Sequence, residues 1–245
     1  MALFQSNNPV LKESMFNKAA QQGEAMTLRG TVNKMSFMLV LLIAAAVFSW
    51  GQFTMGTGNA FPLMIGGALG GFVLALIIIF KKEWAGYLAP AYALAEGLFL
   101  GAISAVYNAQ SHGIVMQAVG LTFGVFIAML ILYRVGLIRA TERFKSIIIT
   151  ATLGIGIFYL AAIVLRMFNI DMPLIFGSGM FGIVFSLIVV AIAALNLILD
   201  FDMIEQGVAQ GAPKYFEWYA SFGLMVTLVW LYLEILRLLS KLNRR

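Results

Sequence analysis

The sequence predicts an all-α integral membrane protein, a bundle of seven transmembrane helices, and three observations carry this. Of 245 residues, 62% are hydrophobic by type and only 11% are charged, against about 45–50% and about 25% in a soluble domain. The charges gather between long apolar runs rather than within them. Most of those runs, once split at their turns, match the roughly 20 residues that cross a hydrocarbon core. Too little polar surface remains to cover a water-soluble ball. That excludes an ordinary soluble enzyme, a disordered chain and a nucleic-acid-binding module. The formal charge of +5 is scattered among loops instead of striped along one face. The absence of cysteine removes disulfides, thiolate metal sites and a cysteine nucleophile.

The spans follow from where charge interrupts. Met35–Phe80 carries no charged residue, but its Gly51–Pro62 segment is rich in Gly, Thr and Asn and reads as a loop. This splits it into spans near Val32–Trp50 and Leu63–Phe80. After the charged turn Lys81–Glu83, the third span runs near Tyr87–Tyr107 and breaks at Asn108–Gly113. The fourth covers Ile114–Tyr133 and closes on the basic segment Arg134–Lys145. Ser146–Met167 is the fifth, with a turn at Asn169–Pro173. The charge-free Met172–Leu199 forms the sixth, and Trp218–Leu233 begins the seventh after the polar stretch Asp200–Glu217.

Basic residues set the expected orientation. The N-terminal segment (Lys12, Lys18, Arg29, Lys34) and the second-to-third, fourth-to-fifth and sixth-to-seventh loops hold eleven of the sixteen, and the opposite loops hold only Arg166 before the C-terminus. That side, with the N-terminus, is expected to be cytoplasmic. The tail conflicts, since Arg237, Lys241, Arg244 and Arg245 follow an odd number of spans. Either the tail is extracytoplasmic despite its charge, or the last segment is re-entrant or strongly tilted; seven crossings are retained. Residues 1–30 lack the apolar core of a signal peptide and read as a cytoplasmic tail. Leu11, Met15 and Phe16 are the alternative basis for a short interfacial helix. Residues 31–245 form the membrane domain.

Several chemistries are missing. The single histidine, His112, lies in a loop, which leaves no histidine ligand set for zinc and no in-membrane partner for a serine nucleophile. No phosphate-binding loop is present, and Trp218–Leu239 has no lysine for a retinal Schiff base. Gly66/Gly70, Gly67/Gly71, Gly97/Gly101 and Gly120/Gly124 fit Gly-x-x-x-Gly, which suits either close packing in the bundle or a dimer face. Neither a catalytic role nor a cofactor is expected.

The informative residues are acids in or beside apolar helices, because an ionisable group in the membrane is costly and tends to face a bundle interior or a pathway. Glu96 has a full apolar turn on each side; it is either such a group or a packing contact. Asp200 and Asp202 close the sixth apolar run, inside the helix if it continues to about Gly211 and solvated if it stops earlier. Glu234 closes the seventh, facing a pathway or forming an ordinary ion pair with Arg237 at i+3.

At these residues the chain resembles the Bax inhibitor-1 family, in its bacterial branch of YccA-like membrane proteins. The likeness runs over about Met35–Leu242. It rests on Glu96–Gly101 (EGLFLG) followed by Gly120–Tyr133, on Asp200–Ile204 within LILDFDMIEQ, and on Leu231–Ile235 (LYLEI). Ser6–Pro9 (SNNP) also matches that branch. The resemblance implies six helices around a central seventh, in a pH-sensitive calcium leak of the inner membrane. Its proton-sensing carboxylates would be Asp200 and Glu234, with transient calcium binding by the same oxygens. Two carboxylates forced together cannot both ionise cheaply, so a shared proton could clamp two helices and its loss could bias a gate.

The chain departs from the family in having Glu at the second position and in the long spacing between the two acids. With a turn at Gly211–Pro213, straight antiparallel helices place them roughly 15 Å out of register at 1.5 Å per residue. Asp202, Glu205 and Glu96 are the alternative partners. Two functions are therefore expected: a leak gated by a carboxylate pair, with calcium and protons as partners in the bilayer, or a non-conducting regulator. The regulator would modulate a membrane-bound ATP-dependent protease through the tail.

Overall fold

The computed structural model describes residues 24–56, 60–168, 177 and 179–244. Seven helices long and apolar enough to span a membrane appear among them. They are α1 (Leu28–Thr54), α2 (Ala60–Phe80), α3 (Ala85–Gln110), α4 (Ile114–Arg134), α5 (Glu142–Met167), α6 (Met180–Ala209) and α7 (Phe216–Asn243), with a single 3₁₀ turn at Lys82–Trp84. Ser6–Pro9, Leu11, Met15, Phe16 and the Asn169–Pro173 turn lie outside the described residues.

Most helices outrun the charge-free segments, because a helix continues through charged residues at the membrane edge. Thr27 caps α1, its hydroxyl accepting from the Gly30 amide at 3.0 Å. Thr141 caps α5 in the same way. The turn expected at Asn108–Gly113 forms around Gly113, whose φ of 81° suits a residue without a Cβ. The sixth-to-seventh connection closes through Gly211, with φ of 64°.

The 30/31 division of the chain moves. Ala25 forms an antiparallel bridge with Pro213, the Met26 amide donates to Ala212 O at 2.7 Å, and the Met26 side chain is buried. Lys214 donates to the Glu24 carboxylate at 2.5 Å and holds that exposed carboxyl below its usual range. Residues 24–30 therefore belong to the membrane domain, not to the tail.

Helix α7 is the axis of the bundle. It packs against α1, α3, α4 and α6, and its apolar window is the most buried of the seven. Helix α5 is the least buried and meets mainly α6. Exposed aliphatic and aromatic side chains cover the outer faces, a surface suited to lipid. The seventh segment is one continuous helix, long and apolar enough to cross a membrane. Trp218, at the start of α7, lies beside Gly86 at the start of α3. Arg244, at its end, donates to Gln110 at the end of α3. The two helices run side by side in one direction, and α7 does not fold back on itself.

Gly97 and Gly101 let α1 and α3 touch at backbone distance. A Cβ on Gly97 would stand 2.3 Å from Leu42 O, and one on Gly101 2.1 Å from Ala46 O. Gly67 serves α2 against α3 likewise, whereas Gly66, Gly120 and Gly124 meet nothing within 4 Å. Gly101→Ala should cost about 1–3 kcal/mol through forced separation of the helices. Gly120→Ala should be neutral or slightly stabilising through helix propensity. Thermal unfolding in micelles checks this: equal midpoints for the two variants would contradict the close contact.

Candidate carboxylate sites along the central helix

Asp200 lies nine residues, about 14 Å, before the end of α6. The solvated alternative is therefore set aside. Its carboxylate faces the Thr227 hydroxyl on α7 and the bare flank of Gly223, where a Cβ would stand 3.8 Å from Oδ1. Oδ2 is buried and has no hydrogen-bond partner. Thr227 itself donates to Gly223 O at 3.3 Å, the usual way a hydroxyl is satisfied inside a helix.

Glu234 is 1% exposed and fully engaged elsewhere. Arg237, one turn on, donates to both its oxygens at 2.9 and 3.1 Å. Tyr159 of α5 donates at 3.0 Å. The Arg237 guanidinium also donates to the Tyr159 oxygen at 2.7 Å and sits 5.0 Å from the centre of its ring. The i+3 ion pair read from the sequence is present, with its carboxylate buried and its guanidinium partly exposed, and Tyr159 ties it to a second helix, α5.

The expected pair of Asp200 and Glu234 is not formed. Asp200 stands against Gly223, eleven residues before Glu234 on α7, about 16 Å along the axis. The reason is the register of the α6–α7 hairpin: the turn centres on Gly211–Pro213, which puts Asp200 opposite Gly223. The chain carries two separate carboxylate stations on one seam.

The alternative partners are occupied too. Asp202 pairs with Lys145 of α5 at 2.9 Å and accepts from Gln206 at 2.6 Å. Glu205 accepts from Tyr133 of α4. Together with Arg139 and Thr141, the residues Tyr133, Asp202 and Glu205 line an open cavity of about 350 Å³ at this end of the bundle. Glu96 bonds Tyr92, one turn back on α3, and its Oε1 occupies the space over Gly71 of α2, 2.8 Å from where a Cβ would be. Its packing alternative is the one this geometry matches. Among the described residues no three His, Asp or Glu side chains converge as a metal site.

A family model described as Bax inhibitor 1 like matches residues 8–244, nearly the whole chain. The chain belongs to that family. A comparison with curated proteins gives no match.

This Bax inhibitor 1-like chain also holds a buried acid that the sequence reading passed over. Glu217, treated as the end of a polar stretch, is fully buried in the first turn of α7. It accepts from the Thr27 amide at 2.8 Å, from the Thr27 hydroxyl at 3.0 Å and from Lys34. It closes the start of α1, and a Cβ on Gly30 would overlap its carboxylate at 2.2 Å. The available signal was Lys34, a lysine one turn inside an apolar span that needed a partner.

Proposed function

We propose that this multi-pass membrane protein is a pH-gated cation leak, with calcium as cargo and the α6–α7 seam as its path. The observation that supports it is the Asp200 Oδ2 atom, buried without a partner at transmembrane depth. A carboxylate oxygen left unsatisfied in a water-poor setting is costly. Two occupants remove that cost, a proton or a cation, and pH decides between them. Deprotonated Asp200 offers a hard cation an oxygen ligand; protonated Asp200 does not. The open cavity lined by Tyr133, Asp202, Glu205 and Arg139 lies within two turns of Asp200 on α6 and is the entrance this reading assigns.

The described basic residues from Arg29 and Lys34 through Lys81, Lys82, Arg134, Arg139, Arg143 and Lys145 to Lys214 lie at this same end. By the positive-inside bias it faces the cytoplasm of a bacterial inner membrane. The protein reconstituted in liposomes loaded with a calcium dye should pass calcium faster at alkaline than at acid pH. Flux without pH dependence would overturn the gate. Absence of flux at every pH would point instead to the non-conducting regulatory reading.

A further inference from the structure

We infer that Lys241 is a tethered counter-cation that plugs the far end of the α6–α7 seam. The inference rests on the leak reading above and adds to it the element that keeps the resting path closed.

Lys241 lies near the end of α7 and is 5% exposed. Its ammonium donates to Gly182 O at 3.0 Å and to Ser186 Oγ at 2.8 Å, both in the first two turns of α6. A buried lysine ordinarily faces a carboxylate. Here, among the described residues, it has two neutral acceptors, and Glu234 two turns back is already held by Arg237 and Tyr159. The start of α6 is moreover the positive end of that helix, the wrong end for a cation. Packing does not call for a lysine at this place. A carbonyl and a hydroxyl are, however, the ligands a hard cation takes, and the ammonium occupies them.

The spacing makes this an end of the same seam. Glu234, Arg237 and Lys241 follow one another at three and four residues and share one face of α7. Gly182, Ser186 and Asp200 share one face of α6, with Ser186 about 21 Å from Asp200 along its axis. Between them the α6 face is dry, with Val189 and Ala193 fully buried. A cation that passed Asp200 would meet Glu234 already neutralised by Arg237, then a second positive charge seated in its exit. The lysine stem is long and unbranched, and two residues separate it from the end of the helix. Its charged head can therefore swing to the membrane surface, as lysines near helix ends do.

Proteoliposomes loaded with a calcium dye test the plug with Lys241→Met, which keeps the apolar stem, and Ser186→Ala, which only weakens the seat. Lys241→Met should raise calcium flux at least about fivefold over the unsubstituted protein, and Ser186→Ala should raise it by less. Both should keep the pH dependence, because Asp200 is untouched. Equal flux in all three proteins would overturn the plug and leave the leak standing. No flux in any of them would overturn the leak, and the plug with it. Should Lys241→Met fail to fold, an unchanged flux in Ser186→Ala decides against the plug.

Discussion

Asp200→Asn should conduct at one low rate whatever the pH. Asparagine has the size of aspartate and keeps the contact with Thr227. It cannot ionise, so the state that accepts a cation is never reached. The ratio of alkaline to acid flux, several-fold in the unsubstituted protein, should collapse to about one in calcium-dye liposomes. Glu234→Gln should behave differently. It frees the half-buried Arg237 guanidinium from its carboxylate, changes the height of the profile and leaves the pH dependence in place. Because the stations lie about 16 Å apart along α7, the logarithms of the two effects should add in the double variant. A strong departure from additivity would mean that the two carboxylates meet in a conducting state. Unaltered pH dependence in Asp200→Asn removes that residue from the gate.

The seven spans were legible because lipid leaves so few ways to place a charge: each interruption of Met35–Phe80 or Trp84–Tyr133 was a turn or an acid with a reason. The ends of the helices were less legible. Nothing local distinguishes Thr27 as the cap of α1 until Glu217, 190 residues away, is seen to bond it. The separation of Asp200 and Glu234 could be counted, since it needs only the turn and the rise per residue. What counting could not supply was the replacement for each missing partner. Asp200 found Thr227, Glu234 found Tyr159 and Lys241 found Ser186, all on other helices, and such contacts depend on how the helices rotate against one another. The heptad spacing of Thr227, Glu234 and Lys241 places the three on one face of α7. It could not say which helix that face would meet.

Lys34→Met should be among the most destabilising single changes in the bundle. Lys34 is the one cation bonded to Glu217 among the described residues, and Glu217 is fully buried. Removing the lysine leaves a carboxylate with the Thr27 amide and hydroxyl but with no bonded cation. Breaking a buried pair in this way costs about 3–5 kcal/mol, more than the intact pair contributes, because the stranded charge has lost its water. The loss falls on the junction where α1, α7 and the docked segment 24–27 meet, since Ser221 of α7 also donates to Thr31 O there at 3.0 Å. The double variant Lys34→Met with Glu217→Gln should recover most of the loss. The glutamine oxygen still accepts from Thr27, and no charge remains to be stranded. Unfolding in micelles by heat or denaturant measures all three proteins. A cost under about 1 kcal/mol for Lys34→Met would show the pair to be solvent-screened, as a surface ion pair is. A double variant no more stable than Lys34→Met would show that lost packing of the lysine stem, rather than a stranded charge, is what destabilises the junction.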